Sequence, residues 1–294
     1  MAVYTKISNK DVLSLGNSYG IDKITEFKGI KKGIENTNYL LKTNKKKFIL
    51  TIFEKRVLKK DLPFFMNLME KLNEKKIICP KPLKSNKNSH LCEIKKKPAC
   101  IVTFLEGTDK TNLNYKNCFD IGKNIAKFHK VTTKMKLFRR NSMSVKKLDT
   151  LLNVIKIKSN KISPKLKPIL NACLKDIKKK WPKKLPEGII HGDLFIDNIF
   201  FNKNRFSGFI DFYFSSNDYL MYEIAICINS LCFDKKNNLF IMNNKKIHNL
   251  INGYESIRPF SKKEKKSLNT LCRGAALRYL LTRIYDYFNT PKTA

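Results

Sequence analysis

The most constraining feature of the sequence is the segment HGDLFIDN (191–198), which directly follows the short apolar run Gly188–Ile190. A second short apolar run, at 206–210, ends at Asp211, thirteen residues beyond Asn198. Short apolar runs bounded by polar residues are typical of buried strands. The sequence therefore predicts two short strands that each end at an aspartate, and acids in that position indicate a site more than a packing requirement.

The first hundred residues read mainly as strands. Four segments are rich in β-forming residues or apolar throughout: 24–32, 37–42, 47–53 and 98–107. One stretch among them has apolar residues at spacings of three and four, which predicts a single helix: Leu62, Phe65, Met69 and Leu72.

From about residue 107 the pattern becomes mostly helical. Three apolar stripes follow the helical period: Cys118, Ile121, Ile125 and Phe128; Leu220, Ile224, Cys227 and Leu231; Leu277, Leu281, Ile284 and Phe288. The polar stretch 141–184 gives no clear pattern. We therefore predict an α+β fold of two lobes, with residues 1–106 as an antiparallel sheet with a helix and residues 107–294 as a mostly helical lobe carrying the two short strands.

Three polar residues of these strand ends form a chemical set. Transfer of a phosphoryl group from ATP needs a carboxylate that takes the proton of the acceptor hydroxyl, and an amide oxygen and a second carboxylate that hold Mg²⁺. Asp193, Asn198 and Asp211 match the kinase loop H-R-D-x-x-x-x-N and the following D-F-G in order and spacing, with Asp211-Phe212-Tyr213 in the second place. We predict Asp193 as the catalytic base, Asn198 and Asp211 as metal ligands, and ATP and Mg²⁺ as cofactors.

A single aspartate after a strand is more often a turn former or a helix cap. For Asp197 that interpretation is sufficient. For the set of three, the agreement of several local signals favours catalysis. His191 is expected to brace the loop, because Asp193 already fills the role of the base.

The first lobe is predicted to bind the nucleotide. Gly29 and Gly33 lie in a turn between the first two strands, where a glycine-containing loop would cover the phosphates. Asn36 and Asn38 follow as turn formers or braces of that loop. The segment of Thr103, Phe104 and Leu105 falls where a hinge would offer backbone groups to adenine, on the order of elements alone.

Charge and cysteine content exclude other classes. The net charge of +36 comes mostly from lysines in short runs over the whole length, with no basic helix of groove-reading spacing, so we predict no specific nucleic-acid partner. Eight scattered cysteines without a CxxC pair indicate free thiols. No apolar run is long enough to span a membrane, and the first residues lack the pattern of an export signal. We expect a cytoplasmic protein without a membrane partner, and the oligomeric state stays open.

The catalytic segment resembles that of the aminoglycoside phosphotransferase-like kinases, whose loop reads HGDxxxxN. Further segments, spread over nearly the whole chain, resemble the homoserine kinases of that group: FKGIKKGIENTNYLL, FILTIFEKRV, IVTFLEG, SGFIDFYFSSND and RGAALRYLLTRIYDYFNTP. The resemblance implies a two-lobed protein-kinase-like fold. It also implies the reaction of ATP with L-homoserine to give ADP and O-phospho-L-homoserine, a step of threonine biosynthesis.

Substrate residues follow from the resemblance less directly. Homoserine is a zwitterion, so its carboxylate needs a fork of donors and its ammonium group needs an acid. Four residues of the similar segments are candidates: Asp218, Arg273, Arg278 and Arg283. Arg283 and Asp286 are three apart on one predicted helix and could equally form a structural ion pair.

One position departs from the wider kinase pattern. The third strand usually carries a lysine or arginine that contacts the phosphates. Here that place holds Thr51, and Lys55, on the same face by strand alternation, is a possible substitute.

Two other functions remain open from the sequence. The first is a kinase of this fold that acts on another small hydroxyl substrate, such as an amino alcohol, a sugar or an aminoglycoside. The second is a nucleotide-binding module without catalysis, against which the intact set of Asp193, Asn198 and Asp211 argues.

Overall fold

The computed structural model describes residues 3–33, 35–54, 57–159 and 161–289. The chain divides into two compact units. The first runs to Gly107 and also contains Ser207–Tyr213, while the second holds Thr108–Phe206 and Phe214–Thr290. Asp211 thus belongs to the first unit, although most of that unit precedes residue 108. The functional division at residue 106 stays a prediction.

The first unit is built on one antiparallel sheet. Its elements are α1 (Asn9–Tyr19), β1 (Ile24–Gly29), β2 (Thr37–Thr43), β3 (Lys47–Ile52), α2 (Leu62–Glu74), β4 (Leu91–Ile94) and β5 (Lys97–Thr103). The five strands are ordered β1-β2-β3-β5-β4, and every neighbouring pair is antiparallel. The predicted sheet and the predicted α2 are confirmed. Strand β4 was not predicted, because its four residues are too few to show a clear pattern.

The sheet buries one apolar face against α1. Leu41, Leu50 and Ile101 are fully buried there, together with Leu15 and Tyr19 of the helix. The sequence predicts one helix in this region and the structure has two. Helix α1 carries few apolar residues, but its start is marked by a capping box, in which Ser8 and Asp11 bond each other's backbone amides.

The second unit is mainly helical. Its helices are α3 (Tyr115–Thr132), α4 (Leu148–Ser159), α5 (Leu166–Lys180), α6 (Leu220–Leu231), α7 (Asn244–Glu255) and α8 (Lys262–Asn289). The three predicted stripes lie on α3, α6 and α8, and their residues are buried or half-buried, as predicted. Helices α4 and α5 occupy the stretch without a clear sequence pattern, and they pack with α8 through residues such as Leu152, Leu174 and Leu281.

Short strands accompany the helices of the second unit. They are β6 (Glu187–Ile190), β7 (Ile199–Asn202), β8 (Arg205–Phe209), β9 (Ser216–Tyr219), β10 (Phe233–Lys236) and β11 (Leu239–Met242), and β8 continues into the segment that packs with the first unit. The two strands predicted before Asp193 and Asp211 are β6 and β8. The α+β class is confirmed. Within the described ranges, no helix combines the length and the apolar character that a membrane span requires.

Candidate active site

The predicted catalytic loop lies in the second unit, between β6 and β7. Strand β6 pairs antiparallel with β9, with Ile190 opposite Ser216. The chain then turns at Gly192, whose φ is +80°, and a side-chain carbon there would lie 3.0 Å from the carbonyl oxygen of Phe214. Any other residue would be both strained and crowded at this position. The turn therefore depends on glycine.

Glu223, on α6, holds the start of the loop by its backbone. Its fully buried carboxylate accepts hydrogen bonds from the backbone amide of His191 and from that of Gly192, at 3.1 Å to Oε1. Hydrogen bonds to a carboxylate are roughly twice as strong as neutral ones. His191 is itself fully buried, as a bracing residue would be. Glu223 was not among the predicted site residues, because a single acid in a helix with an apolar stripe is typical of the exposed face of that helix.

Three further side chains fix the carbonyl groups of the loop. Arg278 Nη1 donates to the Gly192 oxygen at 2.9 Å, Ser230 Oγ to that of Leu194 at 2.7 Å, and Ser215 Oγ to that of His191 at 3.4 Å. Together with Glu223, these groups bond both the donors and the acceptors of the loop backbone. The loop is thus positioned by residues that come after it in the chain.

Asp193 and Asn198 are joined within the loop. Asn198 Nδ2 donates to the backbone oxygen of Asp193 at 2.8 Å and to its Oδ2 at 3.4 Å. The amide of Phe195 donates to the same backbone oxygen at 2.9 Å. Because Nδ2 is used for Asp193, Oδ1 is the atom of the Asn198 carboxamide that can ligate a cation. Asp197 is exposed and lies between them in a short 3₁₀ turn.

A chain of buried and half-buried polar groups extends from Glu223 through His129 and Tyr254 to Arg258. His129, on α3, is fully buried, with Nε2 at 3.9 Å from Glu223 Oε2 and Nδ1 at 2.9 Å from the hydroxyl of Tyr254. Arg258 bonds both Tyr254 and Glu264. Burial lowers the pKa of His129 below its usual value of 6.5, although Glu223 opposes the shift. The imidazole is therefore neutral at pH 7.

Asp211 lies in the first unit and is exposed. It has a φ of +62°, the left-handed conformation that non-glycine residues adopt at a cost. The next two residues anchor it: Phe212 is fully buried, and the Tyr213 ring meets the rings of Phe53 and Phe65 edge-on at 4.9 and 5.8 Å between centroids. An exposed carboxylate on a strained backbone, held by buried neighbours, is typical of a functional position.

A polar row crosses the sheet of the first unit. Thr51 lies opposite Asn38 on β2 and opposite Cys100 on β5, and its hydroxyl donates to Asn38 Oδ1 at 2.8 Å. Cys100 Sγ lies 3.7 Å from the hydroxyl of Tyr213. Thr51, at the place of the usual third-strand lysine, is thus tied to Asn38. Lys55, the possible substitute, falls outside the described residues.

The predicted phosphate-covering turn joins β1 to β2. Gly29 closes β1, and a side-chain carbon there would lie 2.8 Å from Val3 Cγ2, so this glycine makes room for Val3. Gly33 has a φ of +103°, and no described atom would lie within 4 Å of a side-chain carbon at this position. Asn36 is buried, and its Oδ1 has no hydrogen-bond partner among the described residues. Such an atom normally finds a partner, which here a ligand can supply.

The predicted hinge follows β5. The amide of Thr103 donates to Lys81 O at 2.9 Å, and that of Phe104 donates to Lys47 O at 3.2 Å. Two of the three predicted amides are therefore used by the protein itself. If the hinge binds adenine, the hydrogen bonds to the base must come from the amide of Leu105 and from backbone carbonyl oxygens.

Among the predicted substrate residues, Asp218 lies on β9 opposite Gly188 of β6, the strand that leads into the catalytic loop. Its carboxylate accepts hydrogen bonds from Asn141 Nδ2 at 2.6 Å and from the amide of Tyr219 at 2.7 Å. Burial raises the pKa of Asp218, and those two hydrogen bonds limit the rise. Asn141 was not among the predicted site residues, because it lies in the polar stretch 141–184, which has no clear sequence pattern.

The three predicted arginines all lie on α8, but on different faces. Arg278 is buried and donates to the catalytic loop. Arg273 is exposed and pairs with Asp176 at 2.7 Å. Arg283 is exposed. Within the second unit the structure thus brings only Arg278 to Asp193's loop, and the contacts of Arg273 are those of a surface ion pair.

Comparison with known proteins places the chain in a family. The model of the phosphotransferase enzyme family matches residues 26–260. A homoserine kinase of Brucella anthropi is 41% identical over 292 residues, which cover 99% of this chain and 89% of the relative. A homoserine kinase of Rhizobium meliloti is 41% identical over 294 residues, covering 100% and 89%. One of Bartonella henselae is 40% identical over 291 residues, covering 99% and 90%.

Solved structures of low sequence identity share the fold. An amicoumacin kinase in complex with AMP-PNP, Ca²⁺ and Ami superimposes with a TM-score of 0.74 at 13% identity, covering 98% of this chain and 88% of that one. An ethanolamine kinase of Plasmodium vivax gives a TM-score of 0.72 at 15% identity, covering 99% and 88%. The predicted kinase-like fold is confirmed. The chain belongs to the phosphotransferase enzyme family and, within it, to the homoserine kinases.

Proposed function

We propose that this chain transfers the γ-phosphoryl group of ATP to the hydroxyl of L-homoserine, giving ADP and O-phospho-L-homoserine in threonine biosynthesis. The observation that carries the proposal is the 40–41% identity to homoserine kinases over essentially the whole chain. The catalytic loop adds the chemistry, since its backbone is held by buried side chains and it presents Asp193 beside Asn198.

The residues present suit ATP and Mg²⁺. Within the described ranges no three His, Cys, Asp or Glu residues cluster as a metal cage. ATP sites need no such cage, because Mg²⁺ there is held by one or two protein oxygens together with the phosphates. The Asn198 amide oxygen and the exposed Asp211 carboxylate are the proposed ligands. When bound, Mg·ATP supplies the phosphoryl group and neutralises its developing charge.

Asp193 is the proposed base. Its carboxylate would accept a hydrogen bond from the homoserine hydroxyl, orient that oxygen for attack and take its proton as the new bond forms. Asn198 Nδ2 restrains both the backbone and the carboxylate of Asp193. Such restraint favours one orientation of the base before the substrate arrives.

The nucleotide is proposed to bind to the first unit. Gly33 and Asn36 would lie over the phosphates, because Gly33 is uncrowded and the Asn36 carboxamide is buried with an unused polar atom. Rotation of that carboxamide exchanges its oxygen and nitrogen, so it can present a donor to a phosphate oxygen. The base of this phosphate site would be formed by Gly29, Asn38 and Thr51. Nucleotide contacts of Lys55 and of the hinge stay predictions.

Asp218 is the proposed partner of the substrate ammonium group. Burial disfavours its charge, and a cationic ligand would offset that cost. Substrate contacts of Arg273, Arg278 and Arg283 stay predictions, and the bonds of the first two favour structural roles. The cytoplasmic location is likewise our inference, supported by eight free thiols.

A substrate panel tests the proposed function. ADP release would be measured with L-homoserine, L-serine, L-threonine, choline, methylthioribose and kanamycin, each with Mg·ATP. We expect kcat/KM for L-homoserine to exceed that for every other acceptor by at least about 100-fold, since a site that bonds a zwitterion rejects acceptors that leave its polar groups unpaired. Equal or better turnover of another acceptor would assign the chain to that substrate instead.

A further inference from the structure

The hairpin of β10 and β11 exposes an uninterrupted apolar strand. All four residues of β11 are solvent-exposed: Leu239 by 66%, Phe240 by 72%, Ile241 by 49% and Met242 by 55%. A strand with one face in water normally alternates apolar and polar residues, whereas a strand apolar on both faces is typical of the interior of a sheet. β11 has the composition of a central strand but lies at an edge.

The base of the hairpin is firmly attached to the second unit. Asp234, on β10, accepts hydrogen bonds from Asn243 Nδ2 and from Lys246 Nζ, both at 2.6 Å. Lys246 is buried, and the amide of Asn243 bonds Cys232 O at 2.8 Å. These bonds therefore fix the orientation of the hairpin on the second unit, although an isolated two-stranded hairpin is only marginally stable.

The turn determines which backbone groups face the open edge. Asn237 and Asn238 both have positive φ, the two-residue turn that suits a twisted hairpin. The turn makes Lys236 and Leu239 a hydrogen-bonded pair, so the next pair, Lys235 and Phe240, is not bonded. The amide and carbonyl groups of Phe240 and Met242 consequently point away from β10. β11 also lacks the charges and prolines that protect most edge strands.

We propose that β11 pairs antiparallel with β11 of a second copy of this chain, giving a four-stranded sheet across a two-fold axis at Ile241. Phe240 of each copy exchanges hydrogen bonds with Met242 of the other, and the two Ile241 residues face each other. An isologous interface of this kind needs no second surface, because the strand is complementary to itself. The association is independent of the proposed enzymatic function.

The exposed area is sufficient for a modest interface. Aromatic side chains of this kind bury about 150–250 Å² each. Four large side chains, half to three-quarters exposed, offer several hundred Å² per copy, so two copies offer at most roughly 1,000 Å², the lower limit of specific interfaces. Insertion into a membrane would bury the same side chains but leave the edge amides without partners. A second β11 pairs the edge amides and covers the apolar side chains along the shared edge.

Sedimentation equilibrium of the full chain tests the proposal. Measurements between about 1 and 100 µM in 0.5 M salt screen the repulsion between two chains of charge +36. We expect a monomer–dimer equilibrium between 34.3 kDa and twice that mass. Phe240→Lys should raise the dissociation constant at least tenfold while kcat for L-homoserine is unchanged. The matched control Phe138→Lys, at a residue 77% exposed elsewhere in this unit, should leave it unchanged.

A monomer at 100 µM would overturn the proposal, and so would a dimer that Phe240→Lys and Phe138→Lys weaken equally. Binding of the monomer through this hairpin to phosphatidylglycerol vesicles would assign the strand to a lipid surface and equally overturn it.

Cross-linking tests the register. Facing residues of a non-hydrogen-bonded pair have Cα atoms about 4.5 Å apart, within reach of a disulfide. In Ile241→Cys, diamide would take up the two thiol hydrogens and leave one disulfide between two copies, seen as a dimer in a non-reducing gel. Phe138→Cys is the control and should stay monomeric. A dimer in sedimentation without this cross-link would contradict pairing at Ile241.

Discussion

The two acidic segments of the predicted active site are held in opposite ways. The loop of Asp193 is fixed through its backbone by buried polar side chains, above all Glu223, from distant parts of the second unit. The segment of Asp211 is fixed by the packing of the two aromatic residues that follow it, and its own backbone has a φ of +62°. One segment depends on buried hydrogen bonds to its backbone and the other on the packing of aromatic rings.

This difference predicts whether a substitution in each segment will reduce stability or only function. A buried carboxylate that bonds two amides leaves both unsatisfied when it is removed, so the loop of Asp193 should fail together with the surrounding fold. The Asp211 side chain is exposed, so its replacement should change function with little change in stability. Three predictions test this contrast, from the largest effect to the smallest.

Replacement of Glu223 should have the largest effect on stability. Glu223→Ala leaves the amides of His191 and Gly192 without an acceptor, at about 1–3 kcal/mol for each buried group. We expect a loss of about 3–5 kcal/mol in the free energy of unfolding, measured by urea titration. Glu223→Gln keeps one acceptor oxygen and should lose less than half as much. If the alanine variant lost under 1 kcal/mol, the long-range account of the loop would be wrong.

His129 should give the protein a pH-dependent stability. Burial lowers its pKa from 6.5 in the folded state, so below pH 6.5 the unfolded chain binds more protons than the folded one. The contribution of neutral His129 to the free energy of unfolding is therefore fully present above pH 6.5. It falls as the pH drops towards the lowered pKa of the folded state, by up to about 1.4 kcal/mol per pH unit. His129→Gln should flatten this slope in urea titrations at pH 5–7. The exposed His248 is the matched control, and His248→Gln should leave the slope unchanged.

Substitutions at Asp211 should separate stability from activity. Asparagine tolerates the left-handed conformation, so Asp211→Asn should change the free energy of unfolding by less than about 0.5 kcal/mol. Asp211→Ala should lower it by about 1 kcal/mol, because alanine adopts this φ at a cost. Both variants should reduce kcat at least 100-fold, because alanine removes the proposed metal ligand and asparagine removes its negative charge. Equal stability of the two variants would show that the backbone strain is unimportant.

Much of this molecule could be predicted from local patterns. The apolar stripes of α3, α6 and α8 follow from the helical period, because burial on one face imposes it, and the strands before Asp193 and Asp211 follow from short apolar runs. The segment HGDLFIDN indicated the reaction class, since few residue types can perform phosphoryl transfer at that spacing.

The supporting groups could not be predicted, because they act across long stretches of chain. Glu223 comes 32 residues after His191, and the Asn141 that bonds Asp218 comes 77 residues before it. An acid within the apolar stripe of α6 and an asparagine in a polar stretch have no periodic signal. Arg278 was predicted as a substrate residue, but only the folded chain shows its bond to the Gly192 carbonyl group.

The most direct test of the account compares Asp193→Asn with Asp197→Asn, two changes of the same chemistry four residues apart in one loop. Phosphoryl transfer to L-homoserine and the dissociation constant of ATP would be measured on the same samples. We predict that Asp193→Asn lowers kcat by about 10²–10⁴-fold and leaves ATP binding within about threefold of the unmodified chain, as expected for the loss of a general base. Asp197→Asn should retain most of the activity. Full activity of Asp193→Asn, or an equal loss in both variants, would contradict the assignment of Asp193 as the base.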